Sequence, residues 1–593
     1  MFTTKRSYFL LTFMVMIGLI LTACGSTPKT ASPSTSSSPT EAPATNIPAT
    51  NSSPVISNKN ITIVIPEDPP SFNAVIAYTG YDAMVMKLVL LGMTGIDPDG
   101  NIYPELAAEL PTQDNDGVTI DDSAGTMSVT WKMRKDVQWA DGKPVTADDV
   151  IFTYKAITDP NTGSWIPGID NVEGVEKVDE YTFKVNYSAI SPSYLTLFGG
   201  EQVAIWPAHY CDASQGFSAW DCGRTPLSDG PFVMQDWVQG DHLTFTKNDK
   251  YYQAGKPDIE KITVKIVPDA TVRKTMMLNG DADINMWTNE TVTADLQKSD
   301  KAKVSISPND RFVMRLFLNL AAKGSIDAAA NPHPILSDVN VRQAIRSAID
   351  VDTISQQIFS GFSKPVWTEF FRPPYNQCTI ARPKFDSEAA KAQLEAAGWK
   401  DTDGDGVREC HGCKTGAPDG YKMEMEFITY KEYGEPIILT QQLIAEELAK
   451  IGIKLDLTTV EGSVLWADSK SGGIEQTGNF DIDLWDDGYA GTDPGDFISQ
   501  YYSADSIAPD SGWNIARWDN QQFNGLLASS FTLDQKQRQD DFCQMASIMD
   551  QELPMILLFT TIDADGYSNR LSGVQSTVND VVTWNVADWK VVK

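Results

Sequence analysis

The chain is poor in histidine and in positive charge. Only His209, His242, His333 and His411 occur among 593 residues. None stands at the paired spacing that puts two imidazoles on one helix face, so a histidine-built zinc hydrolase or a nickel-specific site has little raw material. Lys and Arg number 47 against 79 Asp and Glu, a formal net charge of −32. Nucleic acids and anionic lipid surfaces are held through clustered Lys and Arg, so this balance argues against them as partners of the chain body. There is no G-x-S-x-G elbow, no P-loop and no dinucleotide fingerprint, so ATP hydrolysis has to reside on another polypeptide. After the first two dozen residues no stretch approaches the roughly 18 apolar residues of a membrane span. What is present is globular: 42% hydrophobic and 21% charged residues, a balance that folds rather than stays disordered. At 593 residues the chain exceeds one hydrophobic core, and about 100–200 residues per domain implies two to four domains.

The N-terminus carries an address. Lys5 and Arg6 precede an apolar run from Phe9 to Leu21, short for a bilayer span and suited to a signal-peptide core. It ends in Leu21-Thr22-Ala23-Cys24, which resembles the bacterial lipobox. That resemblance implies a signal peptide over 1–23, diacylation of Cys24 and a membrane tether, since about two acyl chains give stable anchoring. Residues 25–57 hold 9 Ser, 6 Thr and 6 Pro with two charges, Lys29 and Glu41. Such a segment cannot bury enough apolar surface to fold, so 24–57 reads as a disordered leash, compatible with a glycosylated stalk.

Export implies an oxidising or thiol-poor setting. Six cysteines besides Cys24 allow 15 pairings. Cys211 and Cys222, close in sequence around a polar loop, suggest a local bridge. Cys410 and Cys413 of the C-x-x-C suggest a short structural one, leaving Cys378 and Cys543 to pair or stay free. With His411 they would make only a three-ligand, incomplete zinc site. Asp401, Asp403 and Asp405 occupy positions 1, 3 and 5 of an EF-hand-like loop with Gly406 at position 6. Position 12 is Gly412, so the bidentate Glu is absent, although Glu409 at position 9 could supply one ligand. The segment reads as an Asp/Gly hairpin turn, with a weak structural calcium site as the alternative.

Patterning gives an α/β body. Asn60 to Ile65 is a β-branched run expected as a buried strand. Met127–Met133, Tyr181–Val185 and Ile262–Ile266 are further strands, the first two alternating. Thr146 and Asp149 stand at capping-box spacing before a helix. Ser337 is placed to cap a helix whose apolar face is Val341, Ala344, Ile345, Ala348 and Ile349. Met423–Phe427 alternates as a strand, a helix carrying Ile444, Leu448 and Ile451 follows and ends at Gly452, and Ile453–Leu457 is the next strand. That order predicts a parallel βαβ unit.

Five ordered landmarks carry a family resemblance. Gly100–Ala108 contains P-x-L-A. Trp131–Phe152 is similar to L-R-x-x-V-x-[FW]-x-D-G-x-x-x-T-A-x-D-V. Ser228–Phe232 with Asn248–Tyr252 resembles the G-T-G-P-[YF] and N-x-x-Y-[WY] pair. Val339–Asp350 resembles D-x-x-V-R-Q-A-[IL]-x-x-A-[IL]-D, and Leu394–Trp399 is the next landmark. The chain, over about residues 58–593, resembles the extracytoplasmic solute-binding proteins of family 5, which serve peptide and nickel ABC importers. The resemblance implies a two-lobed, periplasmic-binding-protein-like class II fold with an extra subdomain in the first lobe. The first lobe is expected over 58–312 and 555–593, with the extra subdomain at 101–204, and the second lobe over 313–554. The two crossovers would hinge a closure driven by ligand.

The family's W-x-x-D-x-x-D-P-x-x-F motif, whose first Asp holds a peptide ammonium, is matched in its second half by Asp493, Pro494 and Phe497. The first half is out of register: Ala490 stands where the ammonium-binding Asp would be counted back from Asp493, and Gly488 where it would be counted on from Trp485. Asp486 and Asp487 lie nearby. A cleft is served by rigid amphipathic rings and a few fixed polar groups. The candidate ligand contacts are therefore Trp485, Asp486, Asp487, Tyr489, Asp493, Trp513, Asn514, Arg517 and Trp518 in the second lobe, with Tyr78, Tyr81 and Trp287 in the first. The expected function is a monomeric, lipid-anchored receptor on the extracytoplasmic face of the cell membrane, periplasmic or at the cell surface. It would capture an oligopeptide for a separately encoded permease and ATPase and require no cofactor. An oligosaccharide ligand is the alternative within the class, and a secreted carboxylate-dependent hydrolase the alternative outside it.

Overall fold

The computed structural model describes residues 59–592, apart from 74–79, 122, 163–165, 167, 215, 218–220, 308–309 and 490. The expected signal peptide over 1–23, Cys24, the expected leash over 24–57 and Tyr78 lie outside the described residues.

Two large sheets organise the chain. The first has seven strands in the order Ala302–Ile306, Ala564–Ser568, Ile284–Asn285, Asn60–Ile65, Lys261–Ile266, His242–Lys247, Phe232–Val238. Asn60–Ile65 runs parallel to both of its neighbours. Over Ile63, Val64 and Ile65 both faces are buried, which needs the consecutive apolar residues found there. The second sheet has five strands in the order Lys454–Val460, Glu424–Tyr430, Ile482–Asp487, Val313–Leu318, Met555–Thr560. Glu424–Tyr430 pairs in parallel with Lys454–Val460 across the helix Glu435–Ala449, the expected βαβ unit. Gly452, at φ +89°, turns the chain from helix to strand, a conformation that side chains with a Cβ avoid.

Each sheet organises its own core. Ile63, Phe72, Trp131, Phe245 and Trp589 belong to the first core, and Leu316, Ile345, Leu394, Phe427 and Phe542 to the second. A four-stranded antiparallel sheet, Val118–Asp121, Thr126–Lys132, Thr182–Tyr187, Val172–Asp179, packs within the first core and lies in the span expected for the extra subdomain. Beside it the helix Ala147–Ile157 opens with the capping box, Asp149 Oδ2 accepting from the Thr146 amide at 2.9 Å.

Two expectations shift. The helix Val339–Ala348 is capped by Asp338, whose carboxylate accepts from the Asn340 amide, rather than by Ser337. The chain does not leave the second lobe at 554, because Met555–Thr560 pairs antiparallel with Val313–Leu318 and buries Met555, Ile556, Leu558 and Phe559 in the second core. A strand apolar from Met555 to Phe559 completes a sheet edge there, and the return crossover follows Thr560. The two crossovers run side by side: the Ser307 amide donates to Asp563 O at 2.9 Å and the Thr561 amide to Phe312 O at 3.0 Å.

The structure pairs Cys211 with Cys222, Cys410 with Cys413 and Cys378 with Cys543. The last bridge ties the segment after Arg372 to the helix Gln535–Glu552.

Candidate functional site

Between the lobes lies a cavity of about 860 Å³. Its walls come from Ile96, Ile102, residues 112–114 and the 192–203 segment on one side, and on the other from the loop after Ile482–Asp487 and the helix Gly495–Tyr502. The lobes touch around it. Ser193 Oγ donates to Asp496 Oδ2 at 3.3 Å across 303 residues of sequence. Gly100, at φ +87°, lies so near the other lobe that a Cβ there would come 2.7 Å from Thr492 Cγ2.

The second-lobe wall is aromatic. Tyr489, Phe497, Tyr501 and Trp513 all line the cavity. Phe497 and Tyr501 stack with centroids 4.4 Å apart, and Trp513 lies nearly parallel to Tyr501 at 6.4 Å. The helix produces this wall by periodicity. It starts at the Asp493-Pro494 turn, where Asp493 Oδ1 accepts from the Gly495 amide at 2.8 Å. Asp496, Phe497, Gln500 and Tyr501 then fall on one face and line the cavity.

Charged groups are fixed around the wall. Arg311, at the crossover, is bonded at 2.9 Å to Glu201, which braces the crossover against the first lobe in the cavity wall. Asp493 is paired with Arg538, a buried guanidinium that also donates to Tyr375 Oη at 3.1 Å. Asp487 accepts from the Tyr501 hydroxyl and from the Gly488 amide. Burial holds its carboxyl above the ordinary range. Asp496 is pushed up to about 6, first by burial and then by Asp493, with Arg538 opposing. Beneath the wall Arg315, fully buried, binds Glu369 at 2.6 Å and the Asp487 carbonyl at 2.7 Å, and so fixes the strand end that carries Asp487.

Of the twelve candidate ligand contacts, Asp487, Tyr489, Asp493 and Trp513 line the cavity. The others among the described residues have structural partners. Trp485 stacks on Phe317 at 4.4 Å and donates through Nε1 to Glu475 at 2.7 Å inside the second core. Strand alternation turns Asp486 to the other face, where it accepts from Tyr430 Oη at 3.2 Å. Asn514 donates to the carbonyls of Ser503 and Trp518, both at 2.8 Å, stapling a loop. Arg517, at φ +57°, donates to backbone carbonyls including Glu475 O at 2.7 Å. Trp518 donates to Glu552 Oε2 at 2.6 Å and packs on Phe523. Tyr81 and Trp287 pack on each other at 5.2 Å in the first lobe, away from the cavity lining. Trp287 lies over Gly80, where a Cβ would come 1.9 Å from its ring.

Sequence reasoning missed Glu201, Arg311, Tyr375, Asp496 and Tyr501. The helical spacing of Asp496 and Tyr501 after Asp493-Pro494 was a usable signal. The pairing of Glu201 with Arg311 joins residues 110 apart in sequence and has no local signature.

The Asp-rich loop does gather Asp401, Asp403, Asp405 and Glu409, with one oxygen of each within 4.8 Å of the others. The Lys422 ammonium reaches Asp403 at 3.2 Å, Glu409 at 3.8 Å and, closer still, Asp405. Its own proton affinity is raised by the hydrogen bonds to Asp405 and Asp403. A side-chain cation thus already balances part of the charge that a calcium ion would neutralise.

Comparison with known proteins agrees with this architecture. A family model described as bacterial extracellular solute-binding proteins, family 5 Middle, matches residues 101–509, well over half of the chain. The oligopeptide-binding protein AppA of Bacillus subtilis is 26% identical over 510 residues, covering 83% of this chain and 84% of its own length. The structure of AppA in complex with a nonapeptide superposes with a TM-score of 0.67 at 22% identity, covering 90% of this chain and 99% of that one. NikA from Brucella suis in complex with Fe(III)-EDTA gives a TM-score of 0.72 at 20% identity, covering 90% of this chain and 99% of that one.

Proposed function

The chain belongs to the bacterial extracellular solute-binding proteins, family 5, and we propose that it captures an oligopeptide between its lobes and delivers it to the permease of an ABC importer. Proteins of this family are transport receptors, not enzymes, so the carboxylates of the cleft serve binding and not hydrolysis. The observation that carries the reading is the cavity of about 860 Å³ walled by both lobes beside the paired crossovers. A ligand that touches both walls favours the closed state by its differential affinity, and the crossovers are the hinge. The volume suits an oligomer of several units rather than a bare ion. AppA, named for oligopeptide binding and covered over 84% of its length, supports the peptide class. The stacked wall of Phe497, Tyr501 and Trp513 keeps an oligosaccharide as the second reading, because sugar rings also pack on aromatic faces.

We place the mature N-terminus at Cys24, diacylated, with 24–57 as the leash that holds the lobes off the membrane on its extracytoplasmic face. The first lobe is 58–312 with the return after Thr560, the extra subdomain 101–204, and the second lobe the span between. Permease and ATPase are separate chains, and the receptor works as a monomer. Native mass spectrometry of protein purified from its membrane without denaturation tests the ligand class. Release of short peptides of mixed sequence is the expected result. Release of a sugar oligomer overturns the peptide reading in favour of the second. The mass of the N-terminal fragment tests the anchor, with diacylglyceryl on Cys24 expected.

A further inference from the structure

Strand alternation places Asp483, Trp485 and Asp487 on one face of Ile482–Asp487. The row runs from the second core to the cavity, where Asp487 forms part of the lining. Trp485 is the middle link. It stacks on Phe317, and its ring meets Trp513 edge-on at 6.3 Å and Tyr501 at 6.4 Å, so it backs two of the rings that line the cavity. Its Nε1 donates at 2.7 Å to Oε1 of Glu475, which sits on the short helix Ile474–Thr477. Where the indole stands therefore depends on Glu475.

Glu475 and Asp483 are both fully buried, and their carboxyl groups meet. Glu475 Oε2 and both Asp483 oxygens have no hydrogen-bond partner among the described residues, although the Leu484 amide lies close to Asp483. Carboxylates only accept, so two ionised groups in contact here would repel each other and leave buried acceptors unserved. A proton between them removes both faults, because a carboxylic acid has an O–H to donate. Trp485 already occupies Oε1 of Glu475, which leaves Oε2 to carry the proton. Arg517 is the charged neighbour: its buried guanidinium donates to the Glu475 carbonyl at 2.7 Å and balances the single negative charge that remains. Phe317 and Ile428, which stand opposite Asp483 on the flanking strands, carry no charge. Tyr501 faces the pair from the helix Gly495–Tyr502, and burial keeps its hydroxyl protonated. Burial first, and Asp483 next, hold the Glu475 carboxyl well above the ordinary range, against the opposing pull of Trp485 and Arg517.

Resting on the receptor reading above, we infer that Glu475 stays a neutral carboxylic acid at neutral pH, donating from Oε2 to Asp483 and accepting from Trp485 at Oε1, and that this shared proton makes Glu475 a positioning residue for the ligand wall. Glu475 does not line the cavity; it acts through Trp485 on Tyr501 and Trp513. A Gln side chain offers the same pair of functions, an N–H donor and a carbonyl acceptor, and cannot ionise. Glu475→Gln is thus an isostere of the acid and not of the carboxylate.

The experiment compares the parent with Glu475→Gln, Glu475→Ala and Asp483→Asn in the full-length protein. Infrared difference spectroscopy at neutral pH reads a protonated carboxyl through its C=O stretch and the shift of that band in deuterated water. The band should be present in the parent and lost in Glu475→Gln. It should also be lost in Asp483→Asn, whose amide donates to an ionised Glu475. Calorimetric titration with a peptide released from the native protein should show Glu475→Ala at least about tenfold weaker than the parent, and Glu475→Gln should restore affinity to within about threefold. In the ligand-free protein labelled with fluorotryptophan, the Trp513 signal in fluorine NMR, assigned through Trp513→Phe, should move in Glu475→Ala and stay in place in Glu475→Gln. Where Glu475→Ala fails to fold, Trp485→Phe, which keeps a ring and removes the donor, takes its place with the same expectation for the Trp513 signal. A band that Glu475→Gln leaves untouched overturns the shared proton. A Glu475→Gln protein as weak as Glu475→Ala, or a Trp513 signal indifferent to loss of the Glu475–Trp485 bond, overturns the positioning role. If no peptide is released or bound, the peptide reading fails by itself, and the infrared band and the Trp513 signal still decide this inference.

Discussion

Two tryptophans five residues apart, Trp513 and Trp518, are indistinguishable by sequence and have different roles in the fold. Trp513 is half-buried and lines the cavity, whereas Trp518 is 5% exposed, bonded to Glu552 and packed on Phe523. A Trp presents about 150–250 Å² of surface, so a ligand ring laid on the free face of Trp513 covers roughly 70 Å², about 1.8 kcal/mol at 25 cal/mol/Å². Ring–ring geometry adds about 0.5–1.5 kcal/mol. Trp513→Ala should therefore weaken ligand binding by about 2–3 kcal/mol, roughly 30- to 150-fold in Kd. Removing Trp518 should lower stability by about 3–5 kcal/mol, which for a folded body of about 530 residues is roughly 3–5 °C in Tm. Affinity of the folded fraction should stay within about threefold for Trp518→Ala, because Trp518 does not line the cavity. The assay is calorimetric titration with a peptide released from the native protein, paired with calorimetric melting of each ligand-free variant. A Trp513→Ala protein that binds within threefold of the parent, or a Trp518→Ala protein that loses more affinity than Trp513→Ala, would refute the placement of the ligand against this wall.

Other measurements check separate parts of the structure. Burial pushes Asp483 up to about 7 and Asp486, Asp565 and Asp580 to about 6, against an unfolded value near 3.9. The folded state then binds more protons than the unfolded between about pH 4 and 7. Ligand-free protein should therefore melt higher at pH 5.5 than at pH 8, and the reverse order would contradict these burials. Opening the Cys378–Cys543 bridge, which spans 165 residues, should lower stability by up to about 5 kcal/mol, against under about 2 kcal/mol for the three-residue Cys410–Cys413 loop, in denaturant melts of the Ser variants. EDTA should leave the Tm unchanged, because Lys422 occupies the centre of the acidic loop; a drop of several degrees reversed by calcium would overturn that.

Much of this protein was legible along the chain because the signals are local. The capping box at Thr146 and Asp149, the apolar face of Val341, Ala344, Ile345 and Ala348, and the strand–helix–strand order from 424 to 460 depend on neighbours within a few turns. They reappear as the helices Ala147–Ile157 and Val339–Ala348 and the parallel pair of the second sheet. The ordered motifs from Gly100 to Trp399 likewise indicated the family. The site was only partly legible, since four of the named contacts reach the cavity. Trp485 and Asp487 sit on one strand two residues apart, and their sequence says only that they share a face. That Phe317 and Glu475 bury the first while the second meets open space follows from which elements pack above them. The cleft itself is made of pairs distant in sequence, Glu201 with Arg311 and Ser193 with Asp496. The sequence by itself determined the elements, their order and a surplus of carboxylate. Which carboxylates a buried arginine neutralises, and which is left facing the cavity, was decided only by the tertiary packing, because the reach of a charge is set by distance in space and not by separation along the chain.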